Sequence, residues 1–259
     1  MIEFSELWAG GPRFSQEGGA FPMSSDSVLL ADFAGLSGVR RACDLGCGAG
    51  VLSVLILARS PGISLAGIEI QPEAAALCRK NLAANGWDAS KILTGDLRDH
   101  RKLFGAGAFD LVVCNPPYFP AGSGDMPADP ALAAARSETV CTLADVCRAA
   151  AFLCRNGGAF ALVHRPERLA EVMCAMSEAG FAPKRLRLAC RRPDSAPSLV
   201  LIEGRRNGKP GLAIAPSLIL YQPDGTDSDE IKRIYHLDER GCQDARNAFS
   251  RGDAHRQPG

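Results

Sequence analysis

A chain of 259 residues, 46% hydrophobic and 22% charged, can bury a full core and is not a disordered, fibrous or collagen-like polymer. Its 29 Lys and Arg balance 29 Asp and Glu, so no global field recruits nucleic acid, and any polyanion contact must come from a local patch. The start, Met1-Ile2-Glu3-Phe4-Ser5-Glu6, lacks the pattern of a secretory signal, and the longest clean apolar run, 51–58, is too short to span a bilayer.

Taken in chain order, short apolar runs alternate with helical patterns. Asp26, before Val28-Leu29-Leu30, is placed to be a helix N-cap. Strands are predicted at Arg41–Leu45, Ser64–Ile70, Lys91–Gly95, Phe109–Cys114 and Ala159–His164. Helices are predicted at Gly50–Arg59, at Pro72–Asn85 with Pro72 in the first turn, at Leu143–Arg155 and at Pro166–Ala179, the last capped by Gly180. Asp96–Phe104 has room for a helical turn or two. Two further strands, Lys184–Ala189 and Ser198–Glu203, are joined without a helix and should form an antiparallel hairpin. The result is an α/β sandwich on a mainly parallel seven-stranded sheet that ends in that hairpin. Residues 239–259 are charged and aperiodic, the pattern of a frayed tail. Ten cysteines without a C-x-x-C pair read as small buried hydrophobes of a reducing compartment, the cytoplasm, and four scattered histidines indicate no metal.

Asp44-Leu45-Gly46-Cys47-Gly48-Ala49-Gly50 follows the first of these strands and opens a helix. Gly46, Gly48 and Gly50 let the backbone turn tightly and approach a ligand. A dinucleotide loop is the obvious competitor, but Val51 stands where its third small residue belongs, and Asp44 repels a pyrophosphate while suiting a sulfonium or ammonium. S-adenosylmethionine fits better. Glu69 ends the second strand, where a carboxylate can accept both ribose hydroxyls. Asp96, followed by Leu97, ends the third, placed to accept from an adenine amine. Each acid alone is an ordinary strand-end carboxylate, yet three acids stand at the carboxyl ends of successive strands, the edge where open α/β sheets bind ligands.

Asn115-Pro116-Pro117-Tyr118 follows the apolar run Phe109–Cys114. The Asn offers an amide oxygen, the prolines fix φ near about −65° and donate no N–H, and the Tyr supplies a flat face. Such a turn can accept the protons of a planar NH₂ group and stack its ring. With the glycine loop, Glu69 and Asp96 in order, the chain resembles class I methyltransferases that modify amines and amides. More narrowly it is similar to the tRNA1(Val) (adenine-37) N(6)-methyltransferase family. The narrower likeness rests on Arg13-Phe14-Ser15-Gln16, Ser24-Ser25-Asp26-Ser27, Ala135-Arg136-Ser137-Glu138, and a stretch from Arg165-Pro166-Glu167-Arg168-Leu169 through Pro183-Lys184-Arg185-Leu186-Arg187 to Leu220-Tyr221. Around Thr226 and Asp227 the chain departs from it, because the family tends to carry an aromatic there.

The resemblance implies a single methyltransferase domain over 1–238, with residues 1–35 as a leader packed on it. It implies transfer of a methyl group to the exocyclic amine of a tRNA adenine, an anticodon-loop adenosine of a valine tRNA. Asn115, Pro116, Pro117 and Tyr118 would hold the base, and Asp26, Asp44, Gly46, Gly48, Gly50, Glu69, Asp96, Leu97 and Asn115 would line the cofactor. Accepting the amine's protons at the Asn115 oxygen and the Pro116 carbonyl localises its lone pair, so no strong general base is needed, in keeping with the lack of a nearby His. Tyr118 would stack the extruded base. The Gly- and Pro-rich segment 119–130 is a loop, either a cover for the base or a plain connection, and Arg136 is either a phosphate contact or a solvated helix-edge Arg.

Lys184, Arg185, Arg187, Arg191, Arg192, Arg205, Arg206 and Lys209 gather around the predicted hairpin as a patch for tRNA phosphates, although Arg supplies most basic charge everywhere in this chain. The same turn also suits the side-chain amide of a protein glutamine, as in a release factor. DNA adenine is a further target, but reading a duplex calls for recognition surface that this chain has little room for. A non-catalytic RNA-binding subunit on this fold has no need of both the glycine loop and Asn115–Tyr118.

Overall fold

The computed structural model describes residues 3–16, 23–116 and 141–237. Pro117, Tyr118, the segment 119–130, Arg136 and the tail 239–259 lie outside the described residues. The leader begins with a small antiparallel ribbon, β1 (Ser5–Glu6) and β2 (Arg13–Phe14). Helix α1 (Ser25–Phe33) follows. Its N-cap is Ser24, whose hydroxyl accepts from the Ser27 N–H, so Asp26 is not the cap but a buried residue of the first turn.

The central sheet starts with β3 (Arg41–Leu45), β4 (Ser64–Glu69), β5 (Ile92–Thr94), β6 (Phe109–Cys114) and β7 (Cys154–His164), paired in parallel. It is completed by β8 (Phe181–Cys190) and β9 (Pro197–Arg206), with β9 antiparallel to both β7 and β8. The strands lie in the order β5-β4-β3-β6-β7-β9-β8. Among the described residues two short strands, β10 (Ala213–Ile214) and β11 (Leu218–Ile219), extend the sheet by pairing with β8. Two-residue strands carry no periodicity, so the predicted seven become nine. The order reverses direction between β3 and β6, and the crevice above such a reversal is where open α/β sheets take ligands.

Strand β6 is buried from end to end, as a near-continuous apolar run in a parallel sheet should be. Its alternate side chains feed two cores: Leu111 and Val113 enter one, Val112 and Cys114 the other. The first core contains residues of α1, α2 (Val51–Arg59) and α3 (Pro72–Ala83). The second is closed by α5 (Leu143–Leu153) and α6 (Leu169–Glu178), while the short α4 (His100–Leu103) continues a 3-10 turn at Leu97–Asp99. A capping box between Thr142 and Asp145 starts α5. After α6, Gly180 takes φ +83° and donates to the Ser177 carbonyl, as a helix-ending glycine does.

Boundaries shift by up to three residues elsewhere, as at β8 and β9, and by five at β7. β7 begins at Cys154, inside the predicted helix, because Phe109 pairs with Cys154 before the register shifts at Leu111. The intervening Arg155-Asn156-Gly157-Gly158 masks the strand signal. A last helix, α7 (Asp229–Ile234), was not expected; six residues are too few to show a period.

Two asparagines, Asn81 on α3 and Asn85 in the turn just after it, tie the leader down. Asn85 pairs with both backbone groups of Arg13, accepting at 2.7 Å and donating at 2.8 Å. Asn81, fully buried, does the same for Ser15 at 2.9 and 3.0 Å and also donates to the Ala49 carbonyl in the glycine loop at 2.9 Å. Buried amides need such partners.

Candidate active site

Leu45 pairs with Cys114 across β3 and β6, so Gly46 and Asn115 leave neighbouring strands at the same level. Adjacent strands lie about 4.8 Å apart. The glycine loop and the Asn115-Pro116 turn thus share the crevice at the switch point. The Cys114 thiol donates to the Leu45 carbonyl at 3.1 Å, tying the two exits together.

On the loop side, Gly46, Gly48 and Gly50 all have φ between +52° and +89°, which side-chain-bearing residues rarely adopt. A Cβ on Gly50 would also strike the Cys78 sulfur at 2.6 Å, whereas one on Gly46 would meet nothing within 4 Å, so open space adjoins the loop there. The amides of Gly46 and Cys47 donate to the Ile68 carbonyl, Gly50 to the Cys47 carbonyl, and Gly48 to Glu69 Oε2 at 2.8 Å. Glu69 Oε1 accepts from the Gln71 N–H at 2.9 Å. Amides already spoken for in this way make a poor pyrophosphate cradle. With carboxylates at the loop and at the neighbouring strand end, the donor set fits the diol and cationic end of S-adenosylmethionine rather than a dinucleotide.

Both acids of this half are buried. Burial pushes the Asp44 carboxyl up to about 7, opposed by the Ser53 hydroxyl that donates at 2.7 Å and helped by the neighbouring Glu69. Burial also raises Glu69, against the pull of the Gln71, Gly48 and Ile70 amides. Asp96 is different. It lies beyond β5 as the cap of the 3-10 turn, and its carboxylate holds Arg98 through the backbone N–H at 2.8 Å and the guanidinium at 2.5 to 3.0 Å. The Arg98 hydrogen bond brings its pKa below the ordinary carboxylate value. Leu97 packs partly buried on the second core. Ile70, which the sequence reading passed over, stands exposed at 44% beside Glu69, an apolar face on the same edge.

On the turn side, Asn115 is half-buried and Pro116 buried. The Asn115 amide nitrogen donates to Ser27 Oγ at 3.0 Å and Ser24 Oγ at 3.3 Å, both from the start of α1. Neither serine was among the expected site residues; no local motif links positions 88 and 91 residues apart. Asp26 accepts from the Ser25 hydroxyl at 3.2 Å. The expectation of no histidine nearby is revised by His164, which ends β7, two residues past the Leu162–Cys114 pair. Burial lowers its pKa to about 4, with Arg168 adding to the effect, and its Nδ1 accepts from the Arg165 N–H at 2.8 Å, so the ring is neutral near pH 7.

The expected basic patch does not form one face. Arg187 grips Glu230 through two bonds of 2.7 Å, Arg185 packs over Phe33 and lies 3.6 Å from Glu203, and Arg205 lies 3.4 Å from the same Glu203. Arg206 donates to the carbonyls of Ala151 and Gly180, and Lys184 to that of Pro210. The pairings His164–Val200 and Cys190–Pro197 put the hairpin tip, with exposed Arg191 and Arg192, on the Asn115 edge. Arg205 and Arg206 sit at the other end of β9, about 26–30 Å along the strand from its tip end.

Known proteins agree with this geometry. Residues 24–173 match the methyltransferase small domain family. A tRNA1(Val) (adenine(37)-N6)-methyltransferase from Porphyromonas gingivalis is 32% identical over 197 residues, 73% of this chain and 76% of that protein. One of the same name from Shewanella amazonensis is 39% identical over 106 residues; the chain spans 45% of its length, and 43% of each of two further Shewanella relatives. Among solved structures, a predicted O-methyltransferase from Agrobacterium tumefaciens superposes with TM-score 0.65 at 21% identity, over 82% of this chain and 95% of that one. The T. thermophilus 16S rRNA N2 methyltransferase RsmC, solved with AdoMet and guanosine, gives 0.53 at 25% identity, over 80% of this chain and 50% of that one. The strand order is that of a class I methyltransferase, and the chain belongs to the methyltransferase small domain family and, within it, to the family of the tRNA1(Val) (adenine(37)-N6)-methyltransferases.

Proposed function

We propose that this protein uses S-adenosylmethionine to methylate the exocyclic amine of an adenine in tRNA, the anticodon-loop adenosine of a valine tRNA. The observation that carries the reading is the register of β3 and β6, which brings the glycine loop and Asn115-Pro116 to one level of one crevice. Family membership supports the chemistry, and the relatives' names support the substrate. RsmC, with its bound guanosine, supports a nucleobase amine as target.

When bound, S-adenosylmethionine supplies a methyl group on a positively charged sulfur. Glu69 holds the ribose diol through the lone pairs that the Gly48 and Gln71 amides leave unused, with Ile70 as an apolar wall. Asp44, Asp26 and the backbone of Gly46, Gly48 and Gly50 face the cationic end, and Asp96 with Leu97 the base. At the target, an adenine amine is a weak nucleophile because its lone pair is delocalised into the ring. Asn115 Oδ1 and the Pro116 carbonyl would accept hydrogen bonds from its two N–H groups and turn the lone pair toward the methyl carbon. The N–CH₃ bond would form as the S–CH₃ bond breaks in line, its electron pair passing to sulfur to leave a neutral thioether. Pro117 stiffens the turn, and Tyr118 stacks the extruded base. After transfer the surplus proton leaves to solvent. Buried His164, neutral near pH 7, is not required as a base. Arg191 and Arg192 at the hairpin tip carry the phosphate contact, with Lys184, Arg185, Arg187, Arg205 and Arg206 supporting the hairpin.

The deciding experiment offers methyl-labelled cofactor to bulk tRNA, to DNA and to release factors, then separates nucleosides and amino acids by mass spectrometry. Label in N6-methyladenosine of tRNA is expected. Label in glutamine with none in RNA would replace the substrate, and no transfer to any acceptor would favour a binding protein.

A further inference from the structure

A planar amide is nearly symmetric. Turning it by half a revolution about its last bond exchanges oxygen for NH₂ with little steric change. For an amine substrate the two states are opposites: one meets it with an acceptor, the other with a donor. Asn115 therefore needs a partner that breaks the symmetry. Pro116 offers no N–H for that purpose. Two partners that can do so lie at the start of α1, where Ser27 Oγ and Ser24 Oγ receive the amide nitrogen at 3.0 and 3.3 Å. The two hydroxyls are three residues apart, on one side of the first helical turn, and 3.4 Å from each other. Ser24 is fixed as the N-cap by accepting the Ser27 N–H at 3.4 Å. A hydroxyl that gives its own proton to its neighbour keeps lone pairs for the Asn115 N–H groups.

We propose that Ser24 and Ser27 are positioning residues: they hold the Asn115 nitrogen against α1, so that the oxygen branch of the amide is the one turned to the substrate amine. This rests on Asn115 being the acceptor, as proposed above. Donation from nitrogen also shifts electron density onto the amide oxygen and makes it a better acceptor. The leader helix thereby completes the target half of the site, although Ser24 and Ser27 themselves touch neither the methyl donor nor the amine.

The test is Ser27→Ala, with Ser27→Thr and Asn115→Ala alongside, assayed for single-turnover transfer to tRNA, KM for tRNA and cofactor affinity. Alanine inside a helix leaves the cap and the helix intact, so folding is spared. Ser27→Ala is expected to lower kcat about tenfold or more, in line with the cost of a misplaced group. KM and cofactor affinity should stay unchanged, and Ser27→Thr, which keeps the hydroxyl, should restore the rate. Wild-type kcat in Ser27→Ala, with Asn115→Ala inactive, overturns the positioning role while leaving the acceptor role standing. An equal loss in Ser27→Thr, or weakened cofactor binding, marks Ser27 as structural and overturns it too. An active Asn115→Ala removes the acceptor reading itself, and the positioning role with it.

Discussion

The two halves of the crevice are built differently. The loop half closes on itself within one βαβ unit: Gly48 finds Glu69, Asp44 finds Ser53, and Gly46 and Cys47 share the Ile68 carbonyl, all between residues 44 and 71. The turn half is assembled from distant pieces, with Asn115, just past the end of β6, held by the start of α1. A locally closed site can be shaped before any ligand arrives. One assembled across the chain depends on the leader being docked.

Four substitutions can break or sharpen this contrast. The largest effect is expected at Asn115. Asn115→Ala should lower transfer by on the order of a thousandfold, the scale for losing a group aimed at the reacting centre, with cofactor affinity retained in equilibrium titration. If cofactor binding fell as well, the two halves would be one unit.

Glu69→Ala comes next. It removes the proposed ribose acceptor and orphans the Gly48 and Gln71 amides, so cofactor affinity should drop by about a hundredfold and folding stability by about 1–3 kcal/mol. Equal affinity in calorimetry would remove Glu69 from the ribose.

Asp44 gives a pH signature. Its folded pKa of about 7 lies above the ordinary 3.8, so between those values the folded state holds a proton that the unfolded state lacks. Its contribution to stability is therefore greatest below the unfolded value, falls as pH rises through 7, and levels off above it, a loss of about 2–3 kcal/mol between pH 5 and 8. Buried His164, with its lowered pKa, works in the opposite direction over the same range, so the Asp44 contribution is read as the difference between wild type and Asp44→Asn in urea unfolding of the cofactor-free protein. Parallel wild-type and Asp44→Asn profiles across this range would contradict the assignment.

The smallest effect is expected at Arg98. Its pair with Asp96 is solvent-exposed on the Arg98 side, so Arg98→Ala should leave stability nearly unchanged in urea unfolding. It also releases the Asp96 carboxylate, so cofactor affinity should rise slightly. A clear fall would mean that Arg98, not Asp96, faces the cofactor's base.

The contrast also explains what the sequence could reveal. β3, β6, the glycine loop and the acid at the end of β4 were legible because apolar runs and strand-end residues are local signals. Asp96 was found, but its engagement with Arg98 was not, since an Asp-Leu-Arg run says nothing about which way the Arg folds back. The basic cluster misled for a related reason. Counting Arg along the hairpin cannot separate residues at opposite ends of an antiparallel pair, or those matched by Glu203 within the hairpin and by Glu230 from beyond it. Ser24 and Ser27 were visible only as neighbours of a helix start; their contact with Asn115 exists only after the leader has packed.

Asn81 carries one practical consequence. Its fully buried amide serves the leader at Ser15 and the glycine loop at Ala49 at once. Cutting the chain just after residue 16 would strip this amide of two of its three partners within the core. For protein engineers, the leader is thus no dispensable handle: shortening it is, in effect, a lesion delivered by way of α3 to the glycine loop.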